Sequence, residues 1–320
     1  MTRYIRCTIS YTGWLTKVLA RAGPSFMFVD SAVLLARQKV DRQAEAADPK
    51  RRVGVRKLPA FAMMLALAAP AMAQDTARAL CADRPGLGTP ACTLDKGRVA
   101  LEVGIVDWTH GQAGPIRSDT IQTGEALLRA GLTDSLEAQL GWAAFGHMRV
   151  RDAMAGTVVK DSGIGDVTLA LRQNLHNPDG SGISLALMPY VLLPVGGAAI
   201  GAGDWGAGLI VPMSAELSDS ASFALTARVD AAPDADRDGR HLGFGVVAGL
   251  GLVLSKGLSA SAELSLYRDR DPTGSATRAL TGISVAWQDS GNTQWDLGAN
   301  IGLNDASPDV QIALGYVRRF

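Results

Sequence analysis

The feature that most constrains this chain is a succession of alternating segments that runs from Arg98 to the last residue. Each segment is about ten residues long and has apolar side chains at every second position, with small or polar residues between them. In one segment, Leu140 and Trp142 share a face, whereas Glu137 and Gln139 share the other. A period of two residues is that of a β-strand, and no segment sustains the 3.6-residue period of a helix. The chain is therefore predicted to be all-β.

Strand length separates a soluble sandwich from a membrane barrel, since both show this alternation. Ten residues is about twice the usual strand length of a soluble protein. Tilted by about 45°, such a strand rises about 24 Å, close to the apolar band of about 25 Å of a membrane barrel. Twelve strands are predicted: 98–109, 119–131, 135–148, 164–175, 183–195, 205–217, 221–231, 241–255, 258–268, 278–288, 293–304 and 309–320.

The connections between these segments alternate in length. Short turns are predicted at 132–134, 218–220, 256–257 and 289–292, and longer polar or Gly/Pro-rich loops at 110–118, 149–163, 196–204, 232–240 and 269–277. Two connections fit this less well: 176–182 is a medium turn on the short side, and 305–308 is short for its side. Tight turns on one rim and long loops on the other are typical of outer-membrane barrels. Because a sheet edge cannot stay open in lipid, we predict that 98–320 forms a single up-and-down antiparallel transmembrane β-barrel of about 12 strands.

Charged residues fall mostly on the small-residue face of the segments, which would be the lumen of a barrel. They have two interpretations: they pair across strands and hold the interior, or they line a polar path. Their mixed signs favour weak ion selectivity, because a selective pore uses rings of one sign. The candidate lumen residues are Glu125, Arg129, Glu137, Asp166, Arg172, Glu216, Arg228 and Asp296.

The last strand ends in mid-alternation on an aromatic residue. Tyr316 and Phe320 lie on its apolar face. This resembles the usual assembly signal of outer-membrane barrels and predicts recognition by the barrel-assembly machinery. Arg318 departs from that pattern, since an apolar residue is commoner there, but near a rim its side chain can reach the interface at low cost.

An apolar stretch, Leu58–Gln74, follows four basic residues between 51 and 57 and ends in a small-x-small pattern. It has the parts of a secretory signal peptide, 53–73, with cleavage between Ala73 and Gln74. Residues 1–52 are interpreted as an over-extended gene start or an N-terminal extension. The remaining chain has 19 Lys+Arg and 27 Asp+Glu. This excess of acidic residues argues against a nucleic-acid partner. The predicted barrel itself implies outer-membrane lipid as the expected surroundings.

Two cysteines remain after this cleavage, Cys81 and Cys92, in the predicted periplasmic segment 74–97. In an oxidising compartment they are expected to form a disulfide, stabilising by about 3 kcal/mol in the chain-entropy model. The alternative is two unpaired thiols.

No chemistry of catalysis emerges from the sequence, so no catalytic residue, metal or cofactor is predicted. A hydrolase needs Ser and His within hydrogen-bond reach, and His147 is predicted to face the lumen with no serine identifiable opposite it. The run D-A-D-R-D-G at 234–239 opens like a calcium loop, but Gly245 stands at the twelfth position, where a Glu is expected.

Several stretches resemble the outer-membrane barrel family of the "putative MetA-pathway of phenol degradation", whose members are called transporters. The resemblance extends over about 78–320 and is carried by 80–93, 97–104, 162–175, 186–196, 295–311 and the last strand. It implies an outer-membrane channel-like transporter for passive passage of small molecules, with hydrophobic or aromatic compounds as candidate solutes. The alternatives are a plugged, non-conducting structural or binding barrel and an outer-membrane lipid-modifying enzyme.

Overall fold

The computed structural model describes residues 77–197 and 199–320. The predicted signal peptide, its cleavage site at Ala73 and Gln74, and residues 1–52 lie outside the described residues. The described residues form thirteen strands: β1 Val99–Ala113, β2 Ile116–Gly131, β3 Leu136–Asp152, β4 Thr157–Gly163, β5 Val167–His176, β6 Ile183–Leu193, β7 Gly206–Ser218, β8 Ala221–Pro233, β9 Arg240–Ser255, β10 Leu258–Asp269, β11 Ala276–Ser290, β12 Thr293–Gly302 and β13 Val310–Arg319.

Among the residues that the structure describes, no helix is long and apolar enough to cross a membrane.

The strands close into a barrel with twelve strand positions around its circumference. Neighbours along the chain pair antiparallel, and β1 pairs with both β2 and β13. Two strands share the fourth position, next to β3, because β5 pairs with the first half of β3 and β4 pairs with its second half. The predicted 12-stranded antiparallel barrel is therefore confirmed. We call the end where β1 begins and β13 ends the terminal end, and the other the distal end.

Several strands reach further than the alternation predicted. The predicted loop 110–118 is mostly strand, because β1 and β2 continue to a two-residue turn at 114–115. The predicted loop 149–163 is likewise mostly the paired ends of β3 and β4. Polar residues occupy both faces of these extensions, so no apolar period marks them.

The second predicted segment, 119–131, has polar and apolar residues on both faces, and this mixture has a structural cause at Gly124. This residue has φ of +68°, in the left-handed region that favours glycine. Before Gly124 the even-numbered residues face inward, and Thr120 and Gln122 are buried. After Gly124 the odd-numbered residues face inward, and Arg129 is buried. A parity change in mid-strand exchanges the two faces, which is why neither face reads as apolar throughout.

The faces of the barrel are inverted relative to a soluble protein. The largest fully buried side chains include Arg129, Arg172 and Arg278, whereas apolar residues lie outside. Ile283, near the middle of β11, is 69% exposed. An apolar exterior around a charged interior suits a wall that faces lipid.

This inversion gives a first prediction. Ile283→Arg is expected to lower the free energy of unfolding by about 2–4 kcal/mol, because it puts a charge near the middle of the apolar band. Urea titration of the protein in lipid vesicles measures it. Leu254→Arg, close to the turn at 256–257, is the matched control and should cost about 0–1 kcal/mol. Equal, small losses at both positions would mean that this face contacts water.

Candidate functional site

The lumen is occupied at its terminal end by the chain segment that precedes the barrel. Residues 77–97, which we call the plug, lie among inward-facing side chains of opposite walls. The backbone N–H of Leu94 donates to Glu137 on β3 (2.9 Å), and that of Leu87 donates to Glu263 on β10 (2.6 Å). The sequence predicted a periplasmic segment here, and the structure puts its described part inside the barrel mouth.

A disulfide joins Cys81 and Cys92, as predicted, and closes the plug into a loop. Two arginines of the wall bind the carbonyl oxygens of these same residues. Arg129 Nη1 donates to the Cys81 oxygen (2.6 Å), and Arg172 Nη1 to the Cys92 oxygen (3.2 Å). Both ends of the disulfide loop are thus fixed to the barrel wall.

The same arginines are the centre of a buried charge network between plug and wall. Arg129 contacts Glu137 (2.7 Å) and Glu102 (2.8 Å), and Arg172 contacts Asp83 (2.6 Å). Both arginines and Glu137 are 0% exposed. Burial favours the neutral acid at Asp83, but the two guanidinium groups hold the pKa of this plug carboxyl below its ordinary value. Two cations and three carboxylates therefore pair within one buried cluster.

A second set of contacts fixes the plug to the far wall. Glu263 accepts hydrogen bonds from the N–H groups of Leu87 and Gly88 (2.6 and 3.1 Å). Arg84 of the plug contacts Asp296 on β12 (3.3 Å). The plug thus spans the mouth from β2 and β3 to β10.

The glycines of the lumen face have a role in this docking. A Cβ on Gly104 would lie 3.1 Å from the Arg84 guanidinium, and one on Gly298 would lie 3.2 Å from the Pro85 oxygen. These distances are tighter than most Cβ contacts. The plug therefore packs against part of the small-residue face.

The other predicted lumen residues have separate surroundings. Glu125 lies on the lumen side of β2 beside Gly104. Asp166, between β4 and β5, accepts from the N–H groups of Gly196 and Ala202 (2.8 and 2.6 Å) and so holds the 194–205 connection. Glu216 is exposed near a turn of the terminal end, where it accepts from a turn N–H.

Arg228 belongs to a cluster nearer the distal end. Its Nε donates to Asp230 (2.8 Å), and its guanidinium lies 5.9 Å from the Tyr190 ring centre and 5.4 Å from that of Tyr267. Both tyrosine hydroxyls donate to Asp230 (2.5 and 2.9 Å). This arrangement puts a cation and two aromatic rings together inside the barrel.

A further cluster of side chains lies near the distal end. Asp234, His241 and Asp271 each offer one ligand atom, and these atoms lie within 4.8 Å of one another, so they could hold a cation. His241 also forms ion pairs with Asp234 (2.9 Å) and Asp269.

The prediction that His147 faces the lumen is wrong. His147 lies on the outer face of β3 and is hydrogen-bonded to Ser162 (2.7 Å). The reason is that the inward-facing positions of β3 change parity between Trp142 and Phe145.

Sequence reasoning missed the plug as a site, and it missed Glu102, one of the wall residues that hold the plug. Glu102 is inward-facing by the period of its strand and could have been found that way. Asp83 and Arg84 could not, since C-A-D-R-P-G-L-G-T-P-A-C has no period.

Comparisons with known proteins agree with this architecture. The family model described as "Putative MetA-pathway of phenol degradation" matches residues 82–320. Among solved structures, the COG4313 outer membrane channel from Pseudomonas putida F1 is 18% identical with a TM-score of 0.57, covering 72% of this chain and 98% of that chain. The KdgM porin in complex with disordered oligogalacturonate is 9% identical with a TM-score of 0.42, covering 67% and 98%. The search of curated proteins gives no match.

The likeness to the Pseudomonas putida channel shows the fold, that of an outer-membrane barrel. The family model spans well over half of the chain and includes the plug from residue 82 and every strand. The resemblance noted in the sequence is thereby confirmed, and the chain belongs to the family described as "Putative MetA-pathway of phenol degradation".

Proposed function

We propose that this protein is an outer-membrane channel through which small molecules pass passively, and that the plug limits its periplasmic mouth. The observation that carries the proposal is a polar lumen whose terminal end is filled by a separate, hydrogen-bonded segment. Turns at the terminal end, such as 219–220 and 256–257, have two residues, whereas distal connections such as 234–239 and 303–309 are longer, apart from the turn at 114–115. This asymmetry supports a periplasmic terminal end.

A route past the plug begins at a cavity of about 350 Å³ at the mouth. It lies between Pro85 of the plug and small or polar side chains of β7 to β11, among them Ser222, Ser261 and Ser284. Most of the hydrogen bonds that hold the plug have a charged partner, and each contributes about 1.5–3 kcal/mol. A shift limited to the segment around Pro85 would widen this space and leave the contacts of Arg129 and Arg172 in place.

An interruption of the wall favours hydrophobic or aromatic solutes as cargo. Between β4 and β5, residues 164–166 are not in a strand, although the Gly165 N–H still donates to the Ala143 oxygen (2.8 Å), and β4 pairs with β3 alone. Ile200, between β6 and β7, lies next to Gly146 of β3 and is 1% exposed. An apolar solute that enters the distal lumen can leave sideways into lipid here, in line with the phenol degradation of the family description.

A vesicle experiment tests the proposal. Protein in lipid vesicles should admit a small aromatic alcohol about tenfold faster than protein-free vesicles that have been corrected for leak, since a channel replaces partition through the bilayer. The protein should accelerate entry of the aromatic solute, relative to protein-free vesicles, more than it accelerates entry of an uncharged sugar of similar size. A folded, inserted barrel that accelerates neither solute would contradict a channel and favour the plugged structural barrel; hydrolysis of added lipid would favour the enzyme.

A further inference from the structure

Four basic side chains lie together on the second, third and fourth strands near the distal end. They are Arg117 on β2, Arg149 and Arg151 on β3, and Lys160 on β4, and we call them the basic patch. Arg117 is directly opposite Arg151, and Arg149 is directly opposite Lys160. Residues directly opposite in a ladder, and residues two apart in a strand, point to the same face. All four are exposed.

This face is the outer face of the barrel wall. The alternate residues of β3, Met148 and Val150, are 2% and 6% exposed, and Ile116 packs against them. Gly146, in the same set, would place a Cβ against Ile200 of the inward-folded connection. Because the inward face is covered in this way, the basic patch points away from the lumen.

The basic patch follows directly on the apolar band. One row nearer the middle of the barrel, Ile121 is opposite Trp108, and the next row has Phe145. Ile121 and Phe145 are 42% and 49% exposed. In a barrel of this kind the aromatic girdle marks the membrane interface, so cations just beyond it lie at the height of the lipid headgroups.

The charge of the basic patch is unbalanced. Its two rows contain one carboxylate, Asp119, which contacts Arg117 (3.1 Å) and His110 (2.9 Å). Four cations against one carboxylate leave an excess of three positive charges. They lie on a chain whose part after residue 73 has more acidic than basic residues, so the positive excess is local to this part of the wall.

We propose that the basic patch binds the phosphate groups of the glycolipid that forms the outer leaflet, lipopolysaccharide. The proposal rests on the outer-membrane location proposed above and goes beyond the channel function. Guanidinium groups bind phosphate oxygens in pairs, and ammonium groups bind them as point charges. Adjacent strands are about 4.8 Å apart and successive outward residues about 6.8 Å apart. Two rows of cations at this spacing can bind the two phosphates of one lipid headgroup or of two neighbours.

The test compares lipids that differ only in phosphate. Full-length protein in detergent micelles is titrated with diphosphorylated lipid A and with phosphate-free lipid A, and binding is followed by native mass spectrometry. We expect about tenfold tighter binding of the phosphorylated lipid, which corresponds to a few charge-assisted hydrogen bonds. The variant R149Q/R151Q/K160Q should lose this preference, whereas K96Q/K256Q/R318Q, which removes the same charge at the terminal end, should keep it.

Equal binding of the two lipids, or an unchanged preference in the patch variant, would overturn the proposal. Binding of inorganic phosphate without any preference between the two lipids would also overturn the proposal, since it would indicate a site for free phosphate. Heat-modifiable migration in a gel verifies that each variant is folded, and solute entry into vesicles is measured in parallel. A barrel that conducts nothing but still prefers phosphorylated lipid A would refute the channel and leave this inference standing.

Discussion

Deleting residues 78–92 is expected to raise the single-channel conductance of the barrel by about tenfold or more. A twelve-stranded barrel is wider than the eight-stranded barrels that side chains alone can fill. In this protein the plug occupies the mouth, from Glu137 on one wall to Glu263 on the other. Without it, Arg129 and Arg172 face an open, hydrated lumen and can take up counter-ions. Planar bilayer recording in salt measures the change.

The control for this deletion retains the plug and loosens it. The variant C81S/C92S removes the disulfide but leaves the carbonyl groups that Arg129 and Arg172 bind. We expect its conductance to fluctuate between the wild-type value and that of the deletion variant. If the deletion leaves the conductance unchanged, the narrowest point of the lumen lies nearer the distal end. The cluster of Arg228, Tyr190 and Tyr267 is then the expected constriction.

Replacing Arg129 by methionine is expected to lower the free energy of unfolding by about 3–5 kcal/mol. The substitution keeps the volume of the side chain but leaves Glu102 and Glu137 buried without their main cation, and such orphaned charges are costly. It also removes the hydrogen bond to the Cys81 oxygen. Urea unfolding in lipid vesicles measures the loss.

Two comparisons sharpen this second prediction. Arg117→Met removes an arginine whose side chain is 56% exposed and paired with one carboxylate, so it should cost less than about 1 kcal/mol. Adding Glu137→Leu to Arg129→Met should recover part of the loss, because it removes one of the orphaned carboxylates. An Arg129→Met protein as stable as the wild type would mean that the network is hydrated rather than dry.

Much of the fold follows from periodicity, because one face of each strand meets lipid and the other does not. Strand parity put Arg129, Glu137 and Arg172 on the inner face, and the structure brings these three together. Parity fails where the chain changes phase, as at Gly124, and where a strand breaks, as at Asp166. The plug has no period at all. Its position depends on contacts between residues as distant as Leu87 and Glu263, which a local pattern does not encode.

The position of the plug in the chain has a consequence for the order of events during biogenesis. Both cysteines precede the first strand, so their oxidation needs no finished barrel and can be complete while the strands are still unpaired. The anchoring groups follow in the chain from β1 onward, and the last of them is Arg319 on β13, which donates to the Arg78 oxygen of the plug (2.7 Å). The oxidised loop must therefore wait for nearly the whole polypeptide before it can settle. The time at which the plug becomes resistant to added protease would therefore mark the final stage of barrel closure.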